Sequence, residues 1–520
     1  MTNKHKLGVF VFFLLYLFLL IRNSWASDDA FITLRVVTNI LHGYGPNWNG
    51  AERVQVFTHP LWMMFLIPFY VLIRNPFFTL YAAGIAFSAV TVFFLLYKVA
   101  PSAWTVPIVT TLLLASKAFM DYSTSGLENP LSHLLALLFV WVFLFKEKEA
   151  GSNKRLFLLT LLVSLSMLNR LDTALLFLPA LLLESMQSIR DFRKTLGALF
   201  LGGLPILLWE AFSLFYYGFP FPNTYYAKLT TGIPQRELFQ QGWRYFQNSL
   251  NWDHVTLPMI GLTLILVLFF GEGKRRSLAL GITLYLFYIL YIGGDFMSGR
   301  FFSLPYLMAV ALFFVLPPLL KLKNNLVFSL AVIGLVLIAG LTSLTPPMLI
   351  RMEEDNGIID EQGIADEKVA YFYCCGLLDQ LDHGIKLKIV EDARKANNEN
   401  VPLVVRESIG IYGFYAGPDV YIMDRVCLSD PLRSRLPVMG SWRVGHFRRH
   451  YPIGYMESIE DGFVNHIREP HLHEYYDRLM LVARGDLFSF ERLRTIFEFN
   501  LGTYDHLIDE YVQSNDWANP

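Results

Sequence analysis

Five short stretches of the chain hold the side chains able to do chemistry. The first is Ser27-Asp28-Asp29-Ala30-Phe31-Ile32-Thr33-Leu34-Arg35, directly after an apolar run. Two adjacent carboxylates at a membrane surface are costly without a partner or a ligand. A carboxylate whose pKa is raised by burial or by its neighbour can take a proton from a hydroxyl. Apolar residues from Ala30 to Leu41 recur at helical spacing, which predicts a short helix lying along the membrane interface. Asp28 and Asp29 then stand at its N-terminus, where the backbone dipole favours anions. Two readings stay open for the pair: a proton acceptor, or a helix cap only.

The other four stretches repeat the pattern. One begins at Asp121 and holds Gly126-Leu127-Glu128-Asn129-Pro130. Another is Asn169-Arg170-Leu171-Asp172. A third is Phe219-Pro220-Phe221-Pro222-Asn223-Thr224-Tyr225-Tyr226-Ala227-Lys228. The last is Gly293-Gly294-Asp295-Phe296-Met297-Ser298-Gly299-Arg300. Singly, each reads as a cap or a snorkelling ion pair. Together on one membrane face they read as a polar cavity open to the outside, because intramembrane charge is functional by default.

The elements that must carry these stretches follow from composition. Hydrophobic residues make up 54% of the 520 residues and charged residues only 17%. The charge is uneven: residues 1–344 hold 40 charged side chains and residues 345–520 hold 47. The expected organisation is therefore a membrane domain at 1–344 and a soluble domain at 345–520. Disorder, coiled coil, collagen and a purely cytosolic enzyme are excluded by the same numbers. Residues 1–344 carry 25 Lys/Arg against 15 Asp/Glu, as positive loops on one membrane face would give. No basic stripe appears in the rest, so no nucleic-acid partner is expected. Cys374, Cys375 and Cys427 allow at most one disulfide and have no zinc spacing.

Uncharged runs lie at about 7–21, 60–73, 77–97, 101–116, 131–145, 156–169, 173–189, 195–217, 255–271, 277–292, 301–319 and 325–344. Ser24-Trp25-Ala26 after the first run resembles a signal-peptide cleavage site, but a multi-span chain more often keeps its first helix. Lys4/Lys6, Lys146/Lys148/Lys154/Arg155, Arg190/Arg193/Lys194, Lys274/Arg275/Arg276 and Lys321/Lys323 mark the cytoplasmic side. Three runs between residues 60 and 121 break the parity, so 101–116, with Pro101 and Pro107, is expected not to cross. About eleven transmembrane helices result. The N-terminus is inside, and the five stretches and residues 345–520 are outside.

Residues 345–520 read as α/β. Val401–Val405 and Val420–Met423 are expected strands. Gly410–Gly417 is expected as a helix or turn, and Asp366–Leu381 and Glu491–Phe499 as helices. Arg443, His446, Arg448, Arg449 and His450 form a basic, aromatic-rich stretch that suits an acceptor glycan or a phosphate, or is simply a solvated loop.

The pair Asp28-Asp29-Ala30-Phe31-Ile32, followed by Glu52-Arg53-Val54-Gln55-Val56-Phe57-Thr58-His59-Pro60-Leu61-Trp62, resembles the first-loop signature of GT-C glycosyltransferases. Within these, it is similar to the mycobacterial and corynebacterial terminal arabinofuranosyltransferase group. The Gly-Leu-Glu, Arg-Leu-Asp, Pro-Asn-Thr-Tyr-Tyr-Ala-Lys and Gly-Asp-Phe-Met motifs fit the same group, while Val56 stands where a glycine is expected. The resemblance implies an integral-membrane transferase with a polyprenyl-phosphate sugar donor and a cell-surface glycan acceptor. It implies a first-loop carboxylate as base, Asp28 first and Asp29 second. Lys228, Arg300, Arg53 and Arg170 are the candidates for the leaving phosphate. Glu128, Asp172 and Asp295 would bind sugar hydroxyls or orient those cations. Tyr225 and Tyr226 join them as sugar or acceptor ligands. His59 would bind phosphate or hydroxyl, or cap the segment before Pro60. No cofactor is expected to be required, although Asp28, Asp29 and Glu128 have the oxygen donors for Mg²⁺ or Ca²⁺. Attack opposite the phosphate would invert the anomeric centre. The resemblance to this bacterial group and the absence of a eukaryotic targeting signal point to the bacterial inner membrane, with the lipid bilayer as a partner. Two other classes remain: a flippase for lipid-linked glycan, against which the lack of an evident repeat speaks, and a non-catalytic polysaccharide-assembly subunit.

Overall fold

Each of the twelve apolar runs lies on a helix. A computed structural model describes residues 3–146, 153–189, 191–317, 326–347, 359–385 and 387–514. Among these residues the runs appear as Asn3–Arg22, Pro60–Ile73, Pro76–Phe94, Thr105–Ala115, Asn129–Phe145, Lys154–Asn169, Ala174–Ser188, Phe192–Tyr216, Thr256–Phe270, Gly273–Tyr291, Ser303–Phe314 and Leu326–Leu341. The match has a simple cause: apolar backbone out of water must satisfy its own hydrogen bonds, and a helix does so within one segment. Lys148, Arg190, Lys321 and Lys323 lie outside the described residues.

Among the described residues, three helices are long and apolar enough to cross a membrane: Asn3–Arg22, Pro76–Val99 and Phe192–Tyr216. A fourth candidate is the pair Gln235–Trp252 and Thr256–Phe270, bent by 106° at its break. The several apolar helices fit a membrane protein. Many of their large apolar side chains point outward, among them Leu72, Leu208, Leu268 and Val327. Thr105–Ala115 has eleven residues, a rise of only ~16 Å. Gln235–Trp252 is a helix outside the twelve apolar runs. Its sequence is amphipathic rather than apolar, so a search for uncharged runs passes over it.

Packing divides the described residues into two compact units. The first comprises Met1–Ser27, Met64–Ile206 and Gln235–Gly384, and the second Asp28–Met63, Leu207–Pro234 and Ile385–Pro520. These cuts differ from the change in charge composition near residue 344. They give Asp28 to Arg35 and Tyr225 to Lys228 to the same unit as the C-terminal residues.

The first unit is built of close-packed helices. Ala174–Ser188 and Gly273–Tyr291 run so near one another that a Cβ at Gly281 would sit 2.0 Å from the Leu176 carbonyl oxygen. Small residues permit such approach where lipid gives helices no hydrophobic drive to associate. A buried chain of four charges, Asp366, Lys117, Asp121 and Lys368, joins distant parts of this unit. Lys117 Nζ meets Asp121 Oδ2 at 2.5 Å and Asp366 Oδ2 at 2.9 Å, and Lys368 Nζ meets Asp121 Oδ1 at 2.9 Å. Asn23 Oδ1 accepts from Lys368 at 3.0 Å.

In the second unit, the strands Leu403–Arg406 and Tyr421–Asp424 pair in parallel, Leu403 opposite Tyr421 and Arg406 opposite Asp424. Gly410–Ala416 is the helix between them. The expected strands and helices of the tail all form within a residue or two, with Asp366–Leu381 split into Glu367–Cys375 and Leu377–Asp382. The described sheet has only these two strands, and the rest of this unit's regular structure is helical. The Asp28–Leu41 helix forms as expected, but it does not lie half-exposed along an interface. Ten of its fourteen residues are buried, on all sides. Cys374, Cys375 and Cys427 are free thiols.

Candidate active site

Asp28 and Asp29 open the Asp28–Leu41 helix in the second unit. Their surroundings differ. Asp28 is buried, and both its oxygens accept backbone N–H groups: Oδ2 from Gly410 at 2.9 Å and Oδ1 from Ile411 at 2.8 Å. It therefore caps the start of another helix, Gly410–Ala416, as well as standing at the start of its own. The fit requires glycine, since a Cβ at position 410 would lie 1.8 Å from the Asp28 carbonyl oxygen. Burial pushes the Asp28 carboxyl up to about 6, helped by the charge of Asp29, although both amide bonds pull it down. Asp29 is only half-buried.

Two turns on, Arg35 lies on the same helix face as Asp28. It is buried, and its three nitrogens donate to the carbonyls of Trp48 (2.9 Å), Gly413 (2.6 Å) and Val420 (2.9 Å). Its guanidinium stacks on Trp48, 4.6 Å from the ring centre. A carboxylate thus meets the amide end of Gly410–Ala416, and a guanidinium meets carbonyls toward its other end. Both charges match the helix dipole. Arg35 was not singled out from the sequence, although a charge seven residues after Asp28 in an apolar helix was the signal.

The remaining expected residues of this unit have distinct surroundings. Arg53 donates to the carbonyls of Val482 (3.3 Å) and Gly485 (2.5 Å), at the C-terminal end of Pro470–Arg484. His59 Nε2 pairs with Thr33 Oγ1 at 2.6 Å. Tyr225 stacks on Phe221 at 4.5 Å, and the Arg435 guanidinium lies 4.2 Å from the Tyr226 ring. Lys228 is in the last turn of Asn223–Leu229. Burial and the positive charges of Arg443, Lys228 and Arg448 push His446 down to about 3. Lys228, Arg443 and a neutral His446 therefore share one neighbourhood.

Other residues of the basic stretch have structural partners. Arg448 pairs with Glu407 at 2.8 Å, and buried Arg449 donates to Leu436 O at 2.7 Å and Tyr226 O at 3.3 Å. The stretch is thus neither wholly a solvated loop nor one continuous basic cluster. Asn223, in the Pro-Asn-Thr-Tyr-Tyr motif, clamps the loop after the second strand: its Nδ2 donates to the carbonyls of Cys427, Leu428 and Asp430. Two carboxyls flank this loop. Burial pushes Glu52 and Asp424 each up to about 7.

The first unit brings the other five candidates into one network. Buried Glu128 accepts from Arg170 Nη1 at 3.1 Å and from Arg300 Nη2 at 3.1 and 3.2 Å. Arg170 also grips Asp172 through two bonds, 3.0 and 2.5 Å, and Arg300 lies 3.7 Å from Asp295. Tyr285 donates to Asp172 at 3.2 Å, and the Arg170 guanidinium stacks over Phe301 at 4.5 Å. Carboxylates and guanidiniums alternate along the order Asp172, Arg170, Glu128, Arg300, Asp295. Each of the three acids is ion-paired to an arginine of this network. Three loops far apart in sequence meet here, so no local pattern shows the pairing. Among the described residues, no three of His, Cys, Asp and Glu are grouped so as to hold a metal ion.

No family model matches the chain. It is 25% identical, over 525 aligned positions, to a terminal beta-(1->2)-arabinofuranosyltransferase of Mycobacterium tuberculosis, covering 83% of this chain and 82% of that protein. It is 27% identical over 351 positions to a terminal beta-(1->2)-arabinofuranosyltransferase of Corynebacterium glutamicum, covering 58% of this chain and 49% of that protein. The chain therefore resembles arabinofuranosyltransferases over most of its length, and this likeness supports reading it as a glycosyltransferase.

Proposed function

We propose that this chain is an integral-membrane glycosyltransferase of the GT-C kind. It moves a sugar, arabinofuranose being the first candidate, from a polyprenyl-phosphate donor to a cell-surface glycan on the outer face of the bacterial inner membrane. The observation that carries this reading is the likeness to the mycobacterial arabinofuranosyltransferase across 83% of the chain. The acidic pair at the start of a buried helix supports it, because transfer to a hydroxyl needs a base.

In the proposed step the acceptor hydroxyl oxygen attacks the anomeric carbon. Its proton passes to a carboxylate, the carbon–oxygen bond to phosphate breaks, and polyprenyl phosphate leaves with the electron pair. Attack opposite the leaving group inverts the anomeric centre. We assign the proton to Asp29. Both oxygens of Asp28 already accept amides, so Asp28 fixes the helix start. Lys228, whose charge acts with that of Arg443 on His446, is the first ligand for the leaving phosphate, as a compact cation that neutralises developing charge. The alternative phosphate site, within the first unit alone, is Arg170 and Arg300, with Glu128, Asp172 and Asp295 holding them in fixed geometry. Arg53 is withdrawn from that role because its guanidinium binds backbone carbonyls.

The test is sugar transfer by the purified full chain in nanodiscs, with a panel of polyprenyl-phosphate pentofuranoses and hexoses and oligosaccharide acceptors. Transfer from one donor, with inverted product by NMR, is the expected result. No transfer from any donor, with lipid-linked glycan crossing the bilayer of proteoliposomes, would replace this reading with a flippase.

A further inference from the structure

The helix Phe490–Asn500 has two faces of unlike surroundings. Arg492, Thr495, Ile496 and Phe499 are buried against the second unit. The opposite face carries Phe490, Leu493, Phe497 and Leu501, spaced by three, four and four residues, and all four are exposed. Phe490 is 81% exposed, and Phe488, just before the helix, 78%. A stripe of large apolar side chains on one helix face marks an interaction surface rather than scattered surface residues.

What covers it follows from what it adjoins. Arg492 Nη1 and Nη2 donate to the carbonyls of Phe215 (2.9 Å) and Tyr216 (2.8 Å), the last residues of the Phe192–Tyr216 helix. The Phe488 ring lies 5.6 Å from that of Phe215. Phe192–Tyr216 is one of the three helices long and apolar enough to cross a membrane, and near this end it exposes Leu207 and Leu208. It closes on Tyr216, half-buried, whose hydroxyl accepts from Asn47 Nδ2. Tyrosine with an apolar ring and a tethered polar tip is the usual residue at the level of lipid headgroups. The exposed stripe is thus joined to the end of a candidate span.

We propose that Phe490–Asn500 is an interfacial membrane helix. Phe488, Phe490, Leu493, Phe497 and Leu501 enter the outer boundary of the bilayer beside the exit of Phe192–Tyr216, to a depth of about 5–10 Å. The C-terminal unit is then a membrane-seated module rather than a freely solvated domain. The proposal rests on the membrane reading of the Phe192–Tyr216 helix.

The test places a nitroxide label at Phe497→Cys, in the full chain with Cys374→Ser, reconstituted in phosphatidylcholine/phosphatidylglycerol vesicles. Collision rates with oxygen and with a water-soluble nickel complex report its surroundings. Leu208→Cys serves as the bilayer control and Lys395→Cys, at an exposed helix position, as the water control. The expected result is an oxygen-to-nickel ratio at 497 several-fold above that at 395 and approaching that at 208. A ratio at 497 equal to that at 395, with 208 still lipid-like, would overturn the proposal alone. Shielding from both reagents at 497 would also overturn it, since protein would then cover the stripe. A water-like ratio at 208 would overturn the membrane reading of the span and the proposal with it.

Discussion

Asp28 and Asp29 are neighbours in the chain with different work to do. Asp28 is held by two backbone amides, one on each oxygen. In Asp28→Asn one of the two acceptors becomes a donor facing an amide, which should cost about 1–3 kcal/mol of stability. A lowered thermal midpoint in detergent, with activity falling along with it, is the expected outcome. Lys228→Ala should raise KM for the donor about tenfold, the worth of one charge-assisted bond, with a smaller change in kcat. An unchanged KM would remove Lys228 from the phosphate role. At this scale the place of the acidic pair at a helix start was legible in the sequence, because apolar residues at helical spacing follow it. The partner of Asp28 was not legible: Gly410 lies 382 residues away, and nothing local announces it.

Among the elements, Gly410–Ala416 and Asp28–Leu41 form the tightest joint near the acidic pair. Gly410→Ala would drive a methyl group into the Asp28 carbonyl oxygen, 1.8 Å away. Rigid elements meet there, so the helices must separate, and loss of both transfer and stability is expected. In the first unit, Glu128→Gln removes the charge shared by Arg170 and Arg300. Breaking a buried pair in this way costs about 3–5 kcal/mol, readable as a drop in thermal midpoint. Restoration by Glu128→Asp is expected to be partial, since the shorter side chain cannot reach both guanidiniums. The twelve apolar helices were legible because hydropathy alone specifies them. Gln235–Trp252 was not, because its pattern mixes polar and apolar faces and needs a neighbour to settle it. The parallel strand pair was legible from short apolar runs bounded by turns.

For the whole molecule, three buried carboxyls set the response to pH. Burial raises Asp28 to about 6, and Glu52 and Asp424 to about 7. In the unfolded chain such groups titrate near pH ~4. Each therefore holds its proton more tightly when folded. Their contribution to stability is complete below about pH 4 and is lost as pH rises through about 6 to 7. The thermal midpoint should fall between about pH 5 and pH 8, and Glu52→Gln should flatten that slope. An equal midpoint at both pH values would contradict the burial of these groups. The charge imbalance between the two parts of the chain was legible at this scale. The regrouping of residues 28–63 and 207–234 with the C-terminal residues was not, since it depends on contacts across hundreds of positions. Chelation by EDTA should leave transfer unchanged, because the oxygens of Asp28 and Glu128 are already committed to amides and guanidiniums. The central claim, a carboxylate base in a sugar-transferring membrane enzyme, is tested most directly by one comparison. Transfer from polyprenyl-phosphate arabinofuranose is measured for the wild type and Asp29→Asn in nanodiscs, with thermal midpoints taken alongside. A loss of at least about 10²-fold at an unchanged midpoint is expected. Transfer by Asp29→Asn at the wild-type rate would contradict it.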